Sequence, residues 1–275
     1  ATVYIDTSGE PLFKRGWRVD KGDAPLKETL AAAMIAATGW DPLGEQPLPL
    51  YDPCCGSGTV LIEAAQMACR IAPGSQRRFA FEKLLPYQQH VWIAIKNEAV
   101  SVVTTSVTPI FGSDVSHRMV DFAQRNAERA GVAASVQLRG GDALQRLPPC
   151  EQPGVMLLNP PYGERIAAAG SAGRNARERM GQVQRAGRET AQTDDGVDFF
   201  AQLAAHWKRH YAGWQAWMLT PDLKLPGKMR LKESRRVPMW NGPIECRMFR
   251  FDMIKGAVRD RAAKAAPDGG PRHEG

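Results

Sequence analysis

Hydrophobic and polar residues follow each other along this chain in two patterns, one typical of buried strands and one typical of amphipathic helices. Short apolar runs predict strands at 47–52, 109–114, 135–142, 154–159 and 214–220. Apolar residues at helical spacing predict helices at 25–38, 60–72, 116–131 and 198–213. Because strands alternate with helices, the pattern predicts an α/β fold with a parallel sheet and helices on both faces.

Both ends of this regular pattern predict antiparallel pairing. At the start, TVYID and LFKRGW flank the turn-like stretch TSGEP, which predicts an N-terminal β-hairpin extension. Near the end, SRRVPMW and ECRMFRFDM flank Asn241 and Gly242, which favour a tight turn between antiparallel strands. We therefore expect a hairpin-and-helix extension at 1–45, packed on a main domain at 46–254 with an antiparallel last hairpin.

Two segments lack this periodicity. Residues 163–197 are rich in Gly, Ala, Arg and Gln and predict a mobile basic loop. Six Arg and one Glu fall between Arg165 and Arg188, so this loop either contacts phosphates or is a plain solvated loop. Residues 255–275 are polar and rich in Gly and Pro, which predicts a disordered tail.

Composition narrows the class of protein without choosing a chemistry. The 275 residues are 43% hydrophobic and carry 36 Lys plus Arg against 29 Asp plus Glu, a net charge of +7 that weakly favours a polyanionic partner. No apolar run approaches the ~20 residues of a membrane helix, and the first ten residues do not resemble a secretory signal. Five cysteines without a CxxC pair predict neither a disulfide framework nor a metal site, and favour a cytoplasmic location.

The first candidate for chemistry is the stretch DPCCGSGT, which joins a predicted strand to a predicted helix. Gly56 and Gly58 let the backbone approach a ligand closely, and the helix N-terminus offers unpaired N–H groups. The stretch lacks the third glycine of the dinucleotide motif and the Gly-Lys-Ser/Thr of a phosphate-binding loop. Asp52 would repel a pyrophosphate, so the turn favours a cationic or amino-acid-bearing ligand.

Acidic residues also end the next two strands. The carboxylate of Asp114 can accept both ribose hydroxyls of a nucleoside, and Asp142 can meet an adenine amino group. Asp114 follows Asp52 by 62 residues, far more than the ~20 of a plain dinucleotide fold. The excess predicts an insertion at 70–105 with its own helix.

The most informative motif is Asn159-Pro160-Pro161-Tyr162, directly after an apolar strand. The prolines fix the backbone, so the Pro160 carbonyl and the Asn159 amide oxygen can both accept from an exocyclic NH₂ group. Tyr162 offers a ring on which a base can stack. These hydrogen bonds and the stacked ring direct the nitrogen lone pair at an electrophile, so catalysis needs positioning and no strong general base.

In this order the motifs resemble those of class I S-adenosylmethionine-dependent methyltransferases that act on exocyclic amines. With APLKETLAAAM, NPPYGER and NGPIECRMFRF, about residues 1–254 resemble the bacterial large-subunit ribosomal RNA guanine-N2 methyltransferases of the RlmL type. The resemblance implies a Rossmann-like, mostly parallel sheet of seven strands and S-adenosylmethionine as cofactor. It implies cofactor binding by Asp52, Cys54, Gly56, Gly58, Thr59, Asp114, Asp142 and Asn159, and a catalytic group of Asn159, Pro160, Pro161 and Tyr162.

The resemblance also implies large-subunit ribosomal RNA as the partner. The target base must be unstacked, which favours an assembly intermediate over mature duplex. Family members carry an N-terminal RNA-binding region that is absent here, so the chain is expected to be a fragment or part of a longer protein. Two alternatives stay open: an adenine-N6 methyltransferase on DNA or RNA, and a catalytically idle RNA-binding assembly factor.

Three further features have simpler interpretations. Cys54 and Cys55 favour packing under the glycine turn over reactivity or metal binding. His206 and His210 stand four residues apart, and HWKRH favours a solvated basic face over a zinc site. The stretch 14–18, KRGWR, favours contact with RNA or the cofactor side slightly over a surface structural role.

Overall fold

The computed structural model of the chain describes residues 1–22, 25–160 and 194–254. The strands are β1 Leu50–Asp52, β2 Ile110–Asp114, β3 Gln137–Gly140, β4 Val155–Leu158, β5 Gln215–Thr220, β6 Arg235–Asn241 and β7 Ile244–Asp252. The helices are α1 Glu28–Thr38, α2 Thr59–Ala68, α3 Gln89–Ser101, α4 His117–Arg129, α5 Asp194–His210 and α6 Leu225–Met229. Pro161, Tyr162, most of the predicted basic loop and the predicted tail lie outside the described residues.

All seven strands form one sheet in the order β3-β2-β1-β4-β5-β7-β6. The first five are parallel to each other, and β7 is antiparallel to both β5 and β6. This order confirms the predicted mostly parallel sheet with an antiparallel last hairpin. After β3 the chain returns to the other side of β1 to form β4, and ligands of open α/β sheets bind at such a reversal, beyond the carboxyl ends of the strands.

A separate apolar core covers each face of the sheet. Alternate strand residues point to opposite faces, so Leu157 joins the core that contains α1 and α2, whereas Leu158 joins the core that contains α5. Both side chains are completely buried. The two cores confirm that helices pack on both faces. No helix in the described ranges is long and apolar enough to cross a membrane.

The predicted N-terminal β-hairpin is wrong, because residues 1–22 contain no strand. The guanidinium of Arg77 donates to the carbonyl oxygens of Ser8 and Pro11 at 3.2 and 3.1 Å, so the residues of the predicted turn are bonded to a distant side chain. The backbone N–H of Phe81 donates to the Thr7 carbonyl oxygen at 3.1 Å. Contacts with residues some 70 positions away therefore override the local β-propensity.

The insertion predicted at 70–105 carries the expected helix, α3. The rings of Phe79 and Phe81 lie 5.8 and 5.0 Å from the ring of Trp92, both edge-on, and fasten α3 to the preceding turn. None of the residues of α3 is buried. Helix α3 is therefore an outlying element and does not contribute to either core.

Candidate active site

Four polar residues stand at the carboxyl ends of adjacent parallel strands. Asp52 ends β1, Asp114 ends β2, Asp142 follows β3 after a two-residue step, and Asn159 follows β4 directly. These strands are neighbours in the order β3-β2-β1-β4, and neighbouring strands lie about 4.8 Å apart. The four side chains therefore line one edge of the sheet, as the sequence predicted.

The glycine turn after β1 has one tightly packed glycine and one open glycine. Gly58, at φ +87°, has no space for a side chain, because a Cβ there would lie 2.9 Å from the Cβ of Ala123 on α4. Gly56, at φ +54°, has no atom within 4 Å of such a Cβ. Gly58 thus lets α2 and α4 approach each other, while Gly56 leaves room beside the backbone for a ligand.

Asp114 is held in one orientation by two backbone groups. Its Oδ2 accepts a hydrogen bond from the N–H of Gly56, and its Oδ1 accepts one from the N–H of Ser116, both at 2.9 Å. Each carboxylate oxygen keeps a lone pair for a further donor. A preoriented acceptor pair of this kind fits the two neighbouring hydroxyls of a ribose.

Asp52 is a buried carboxyl, with 2% of its surface exposed. Its Oδ1 accepts a 3.0 Å hydrogen bond from the N–H of Cys54. Burial raises the pKa of Asp52 to about 8, and the negative charge of Asp114 adds to the increase. A ligand with a positive charge would offset this cost, so the position fits a cationic group.

The thiol of Cys54 lies beside the acids of the candidate site. Burial raises the pKa of this thiol well above its usual range, and the negative charges of Asp52, Asp114 and Asp142 raise it further. A thiol with a high pKa stays protonated and unreactive. Cys54 packs on the core beside α5, and Cys55 belongs to the opposite core.

The remaining predicted residues stand in different positions. Asp142 is buried, and its Oδ1 accepts a 2.9 Å hydrogen bond from the N–H of Leu144. Asn159 is half-buried and Pro160 is buried at the same edge. The hydroxyl of Thr59 accepts a 2.7 Å hydrogen bond from Arg18, so this side chain faces the N-terminal segment.

Asn126 is a residue that the sequence interpretation missed. It is completely buried on α4, and its Nδ2 donates to the carbonyl oxygens of Ser57 and Asp20 at 3.0 and 2.8 Å. Its Oδ1 lies 3.3 Å from the N–H groups of Val19 and Asp20 and accepts from both. Asn126 thus ties the glycine turn to the N-terminal segment. The signal was an amide on the apolar face of an otherwise amphipathic helix.

The basic stretch at 14–18 has a structural role on the side of the glycine turn, where Arg18 bonds Thr59, contrary to the predicted contact with RNA. Trp17 is buried, and Arg15 binds both carboxylate oxygens of Glu63 on α2 at 3.1 Å. Arg18 binds Glu28 at the start of α1 at 2.8 Å. Both carboxylates are almost completely buried, so these arginines neutralise internal charge and are not available for RNA.

The histidines of α5 do not form a metal site with their neighbours. The Nε2 of His206 lies 2.7 Å from the carbonyl oxygen of Arg146 and donates to it. The part of the chain that the structure describes contains no group of three or more metal-ligating side chains.

The strand order and the polar groups at the strand ends define a class I methyltransferase. Proteins of this class take their methyl group from S-adenosylmethionine, so the fold bears out the predicted cofactor. The chain belongs to the UPF0020 family, described as an RMKL-like methyltransferase domain, whose model matches residues 15–186. This membership confirms the resemblance predicted from the sequence.

Curated relatives carry one common description. The protein of Psychromonas ingrahamii named "Ribosomal RNA large subunit methyltransferase K/L" is 38% identical over 252 residues, which are 90% of this chain and 30% of the relative. The protein of the same name from Shewanella baltica (strain OS195) is 37% identical over 273 residues, 98% of this chain and 34% of the relative. The chain therefore spans about a third of the length of these relatives.

Solved structures share the fold. A possible methylase from Clostridium difficile 630 matches 92% of this chain and 59% of its own, with a TM-score of 0.75 and 29% identity. SMU.472, a putative methyltransferase solved in complex with S-adenosylhomocysteine, matches 92% of this chain and 58% of its own, with a TM-score of 0.73 and 30% identity. A structure from Listeria monocytogenes str. 4b F2365 is described as a predicted N6-adenine-specific DNA methylase. It matches 90% of this chain and 56% of its own, with a TM-score of 0.71 and 29% identity.

Proposed function

We propose that this chain transfers a methyl group from S-adenosylmethionine to the exocyclic 2-amino group of a guanine in 23S ribosomal RNA. The observation that carries the proposal is the meeting of Asp52, Asp114, Asp142 and Asn159 at one edge of the sheet. The curated relatives, named ribosomal RNA large subunit methyltransferases, support the choice of substrate.

The cofactor half of the site lies at the ends of β1, β2 and β3. S-adenosylmethionine, when bound, supplies an electrophilic methyl group on a positively charged sulfur. The open side of Gly56 gives its methionine part room beside the backbone, and its positive charge would offset the cost of ionising the buried Asp52. Asp114 would accept from the ribose hydroxyls, and Asp142 would accept from the adenine amino group. The residues present thus fit this cofactor.

The amine half of the site follows β4. The Asn159 amide oxygen and the Pro160 carbonyl would each accept one hydrogen of the guanine NH₂ group, which directs its lone pair away from the ring. Tyr162 would stack on the base and Pro161 would fix the turn, and both lie outside the described residues. Neutral acceptors that position the amine can accelerate transfer without a general base.

We also propose that residues 1–45 act as a brace on the catalytic domain at 46–254. The bonds from Arg15 to Glu63 and from Arg18 to Thr59 cross this boundary and hold the N-terminal residues on the domain. An unpaired guanine in an assembly intermediate suits the site, because a base within a duplex cannot reach it. This substrate and the five cysteines, all free, support a cytoplasmic location.

The second candidate is an adenine-N6 methyltransferase. The Listeria monocytogenes structure described in these terms resembles this chain over 90% of its length, and the Asn159 motif suits either amine. The two candidates share the cofactor half of the site. Only the atom that receives the methyl group distinguishes them.

Mass mapping of methylated nucleosides tests both candidates. Ribosomal RNA without modifications is incubated with the protein and isotope-labelled S-adenosylmethionine, and the nucleosides are then separated. Labelled N2-methylguanosine is expected, and labelled N6-methyladenosine would favour the second candidate. Absence of any labelled nucleoside, with the cofactor still bound in calorimetry, would contradict both and favour an idle RNA-binding factor.

A further inference from the structure

Trp240 has an environment unlike that of the other tryptophans. The chain has seven, and all of them lie in the described ranges. Trp92 is half-buried, whereas five are buried: Trp17, Trp40, Trp207, Trp214 and Trp217. Trp240 alone is exposed, with 60% of its surface in solvent. An indole ring is large and mostly apolar, so an exposed one is suited to a contact with a ligand.

The position of Trp240 places it at the edge of the sheet that carries the candidate site. Because β7 is antiparallel to both β5 and β6, β6 runs in the same direction as β1 to β5. Thr220 is the last residue of β5 and pairs with Arg247 of β7. Arg247 in turn pairs with Pro238 of β6. Trp240 therefore extends two residues, roughly 7 Å, beyond the end of β5.

The lateral distance to the amine half of the site is also short. Three strand spacings, roughly 14 Å, separate β4 from β6 in the order β4-β5-β7-β6. Leu158 is level with Met218 in the register, so Asn159 is level with Leu219 and Trp240 lies three residues, roughly 10 Å, further along. Trp240 and Asn159 are therefore about 17 Å apart by these spacings. A stacked strand of RNA covers this distance in about five nucleotides.

The end of the chain that carries Trp240 is basic. Residues 221–254 contain eight Lys plus Arg against four Asp plus Glu, a net charge of +4, whereas residues 1–160 contain fifteen against sixteen. By the alternation of side chains, Arg236 shares the face of Trp240 on β6, and Glu245 and Arg247 lie on the same face of β7. Glu245 lies beside Trp240, and the two arginines on this face are paired with acids, Arg236 with Glu233 and Arg247 with Glu245.

From these observations we infer that the tip of the β6–β7 hairpin is an RNA-binding surface, on which Trp240 stacks with an unpaired base within about five nucleotides of the methylated one. Arg236 and Arg247 face the phosphates of the same strand. The inference rests on the proposed function and extends it to a second contact. Stacking on one ring beside cations is the usual way in which proteins bind single-stranded RNA.

A protein partner fits this surface less well than RNA. Stable protein interfaces bury about 800 Å² on each side, with an apolar centre. At the hairpin tip only Trp240 and Ile244 are large, apolar and exposed, and the tip belongs to a segment with an excess of positive charge. That balance complements a polyanion.

The test is RNA binding by matched variants of the full chain. The probe is a fluorescein-labelled single-stranded RNA of twelve nucleotides with mixed sequence, followed by fluorescence anisotropy. Trp240→Ala is expected to weaken binding about 5-fold to 100-fold, and Trp240→Phe, which keeps a ring, should stay within about threefold of the wild type. Tyr4→Ala removes another exposed ring, 88% exposed in the N-terminal segment, and should leave binding unchanged.

A second variant, expected to bind RNA more tightly than the wild type, sharpens the test. Glu245 is exposed and binds Arg247 at 2.7 Å, so Glu245→Gln removes a negative charge from the surface and frees the arginine. We expect RNA binding to become about twofold to fivefold tighter at low salt, with the gain lost at high salt. Weaker binding by Glu245→Gln would contradict the proposed face.

The results also separate this inference from the proposed function. If Trp240→Ala binds the RNA as the wild type does, or if Tyr4→Ala loses as much affinity, the RNA-binding surface is wrong, whatever the nucleoside mapping shows. If Trp240→Ala instead changes only the sedimentation of the protein, the tip is a protein interface and the inference fails. If Trp240→Ala loses RNA affinity while no nucleoside is methylated, the surface stands and the proposed function fails.

Discussion

The two halves of the sheet use charged residues in opposite ways. On the side of β1 to β3, acids stand at the strand ends and the nearby arginines are turned inward, as in the bonds of Arg15 to Glu63 and Arg18 to Glu28. On the side of β5 to β7, acids are fewer and cations lie on the surface, such as Arg236, which has 58% of its side chain exposed. One side therefore favours a cation, and the other favours a polyanion.

Burial determines how much free energy is lost when the partner of a charged side chain is removed. Removing one partner of a buried pair such as Arg15 and Glu63 leaves an uncompensated charge, at a cost of about 3–5 kcal/mol. A pair whose acid is exposed, such as Glu245 with Arg247, is screened by solvent and contributes about 0–1 kcal/mol, so a phosphate can displace the acid at little cost. The net charge of +7 is consequently a poor guide to RNA binding, because cations such as Arg15 and Arg18 neutralise buried carboxylates.

Asn159→Ala has the largest expected effect and tests whether the two halves act as separate functions. Loss of the amide acceptor should reduce methyl transfer to RNA by about 1000-fold or more, because the amine is no longer positioned. The affinity for the cofactor should stay within a few-fold, since the acids of β1 to β3 are untouched. Transfer of labelled methyl groups and calorimetry measure the two quantities, and turnover like that of the wild type would reject the assigned mechanism.

Asn126→Ala tests the brace beneath the cofactor half. The change removes five hydrogen bonds of a completely buried amide, one of them from Arg129, and leaves the Ser57 and Asp20 carbonyl oxygens without this donor. We expect the free energy of unfolding to fall by about 3 kcal/mol, measured by chemical denaturation. The control is Gln124→Ala on the same helix, where a loss below about 1 kcal/mol is expected; equal losses would show that Asn126 has no special role.

Asp114→Ala tests the acidic side directly. Without two charge-assisted hydrogen bonds to the ribose hydroxyls, cofactor affinity should fall by about 2 kcal/mol or more, roughly 30-fold. Asp121→Ala, which removes an exposed acid from α4, should leave the affinity unchanged. Calorimetric titration with S-adenosylmethionine measures both, and unchanged affinity in Asp114→Ala would reject its role with the ribose.

The pH dependence of stability tests the buried carboxyl of Asp52. The folded protein holds this proton until about pH 8, because burial raises the pKa of Asp52, whereas the unfolded chain releases it near 3.8. Between these values the folded state binds more protons, so the contribution of Asp52 to stability is greatest below pH 3.8 and falls as the pH rises.

The corresponding slope is at most about 1.4 kcal/mol per pH unit. Asp52→Asn cannot titrate, so its free energy of unfolding should rise relative to that of the wild type between pH 5 and 7. Denaturation of both proteins at several pH values measures the difference. A constant difference across this range would show that Asp52 is ionised in the folded protein throughout.

Local sequence predicted the structure correctly wherever a feature depends on one strand or one turn alone. The apolar runs before Asp52, Asp114 and Asn159 predicted three parallel strands, and parallel strands bring their carboxyl ends to one edge. The predicted N-terminal hairpin failed for the opposite reason, since Thr7, Ser8 and Pro11 bond to the distant residues Arg77 and Phe81. The same holds for Asn126, whose partner Val19 is 107 positions away.

The sequence by itself determined the class of fold, the cofactor and the residues at the strand ends, because these follow from short motifs and from the direction of parallel strands. Only the tertiary structure decided which cations are internal and which are exposed, since burial depends on what packs against a side chain. It turned Arg15 and Arg18 inward and left Trp240 exposed at the edge of the sheet that carries the candidate site.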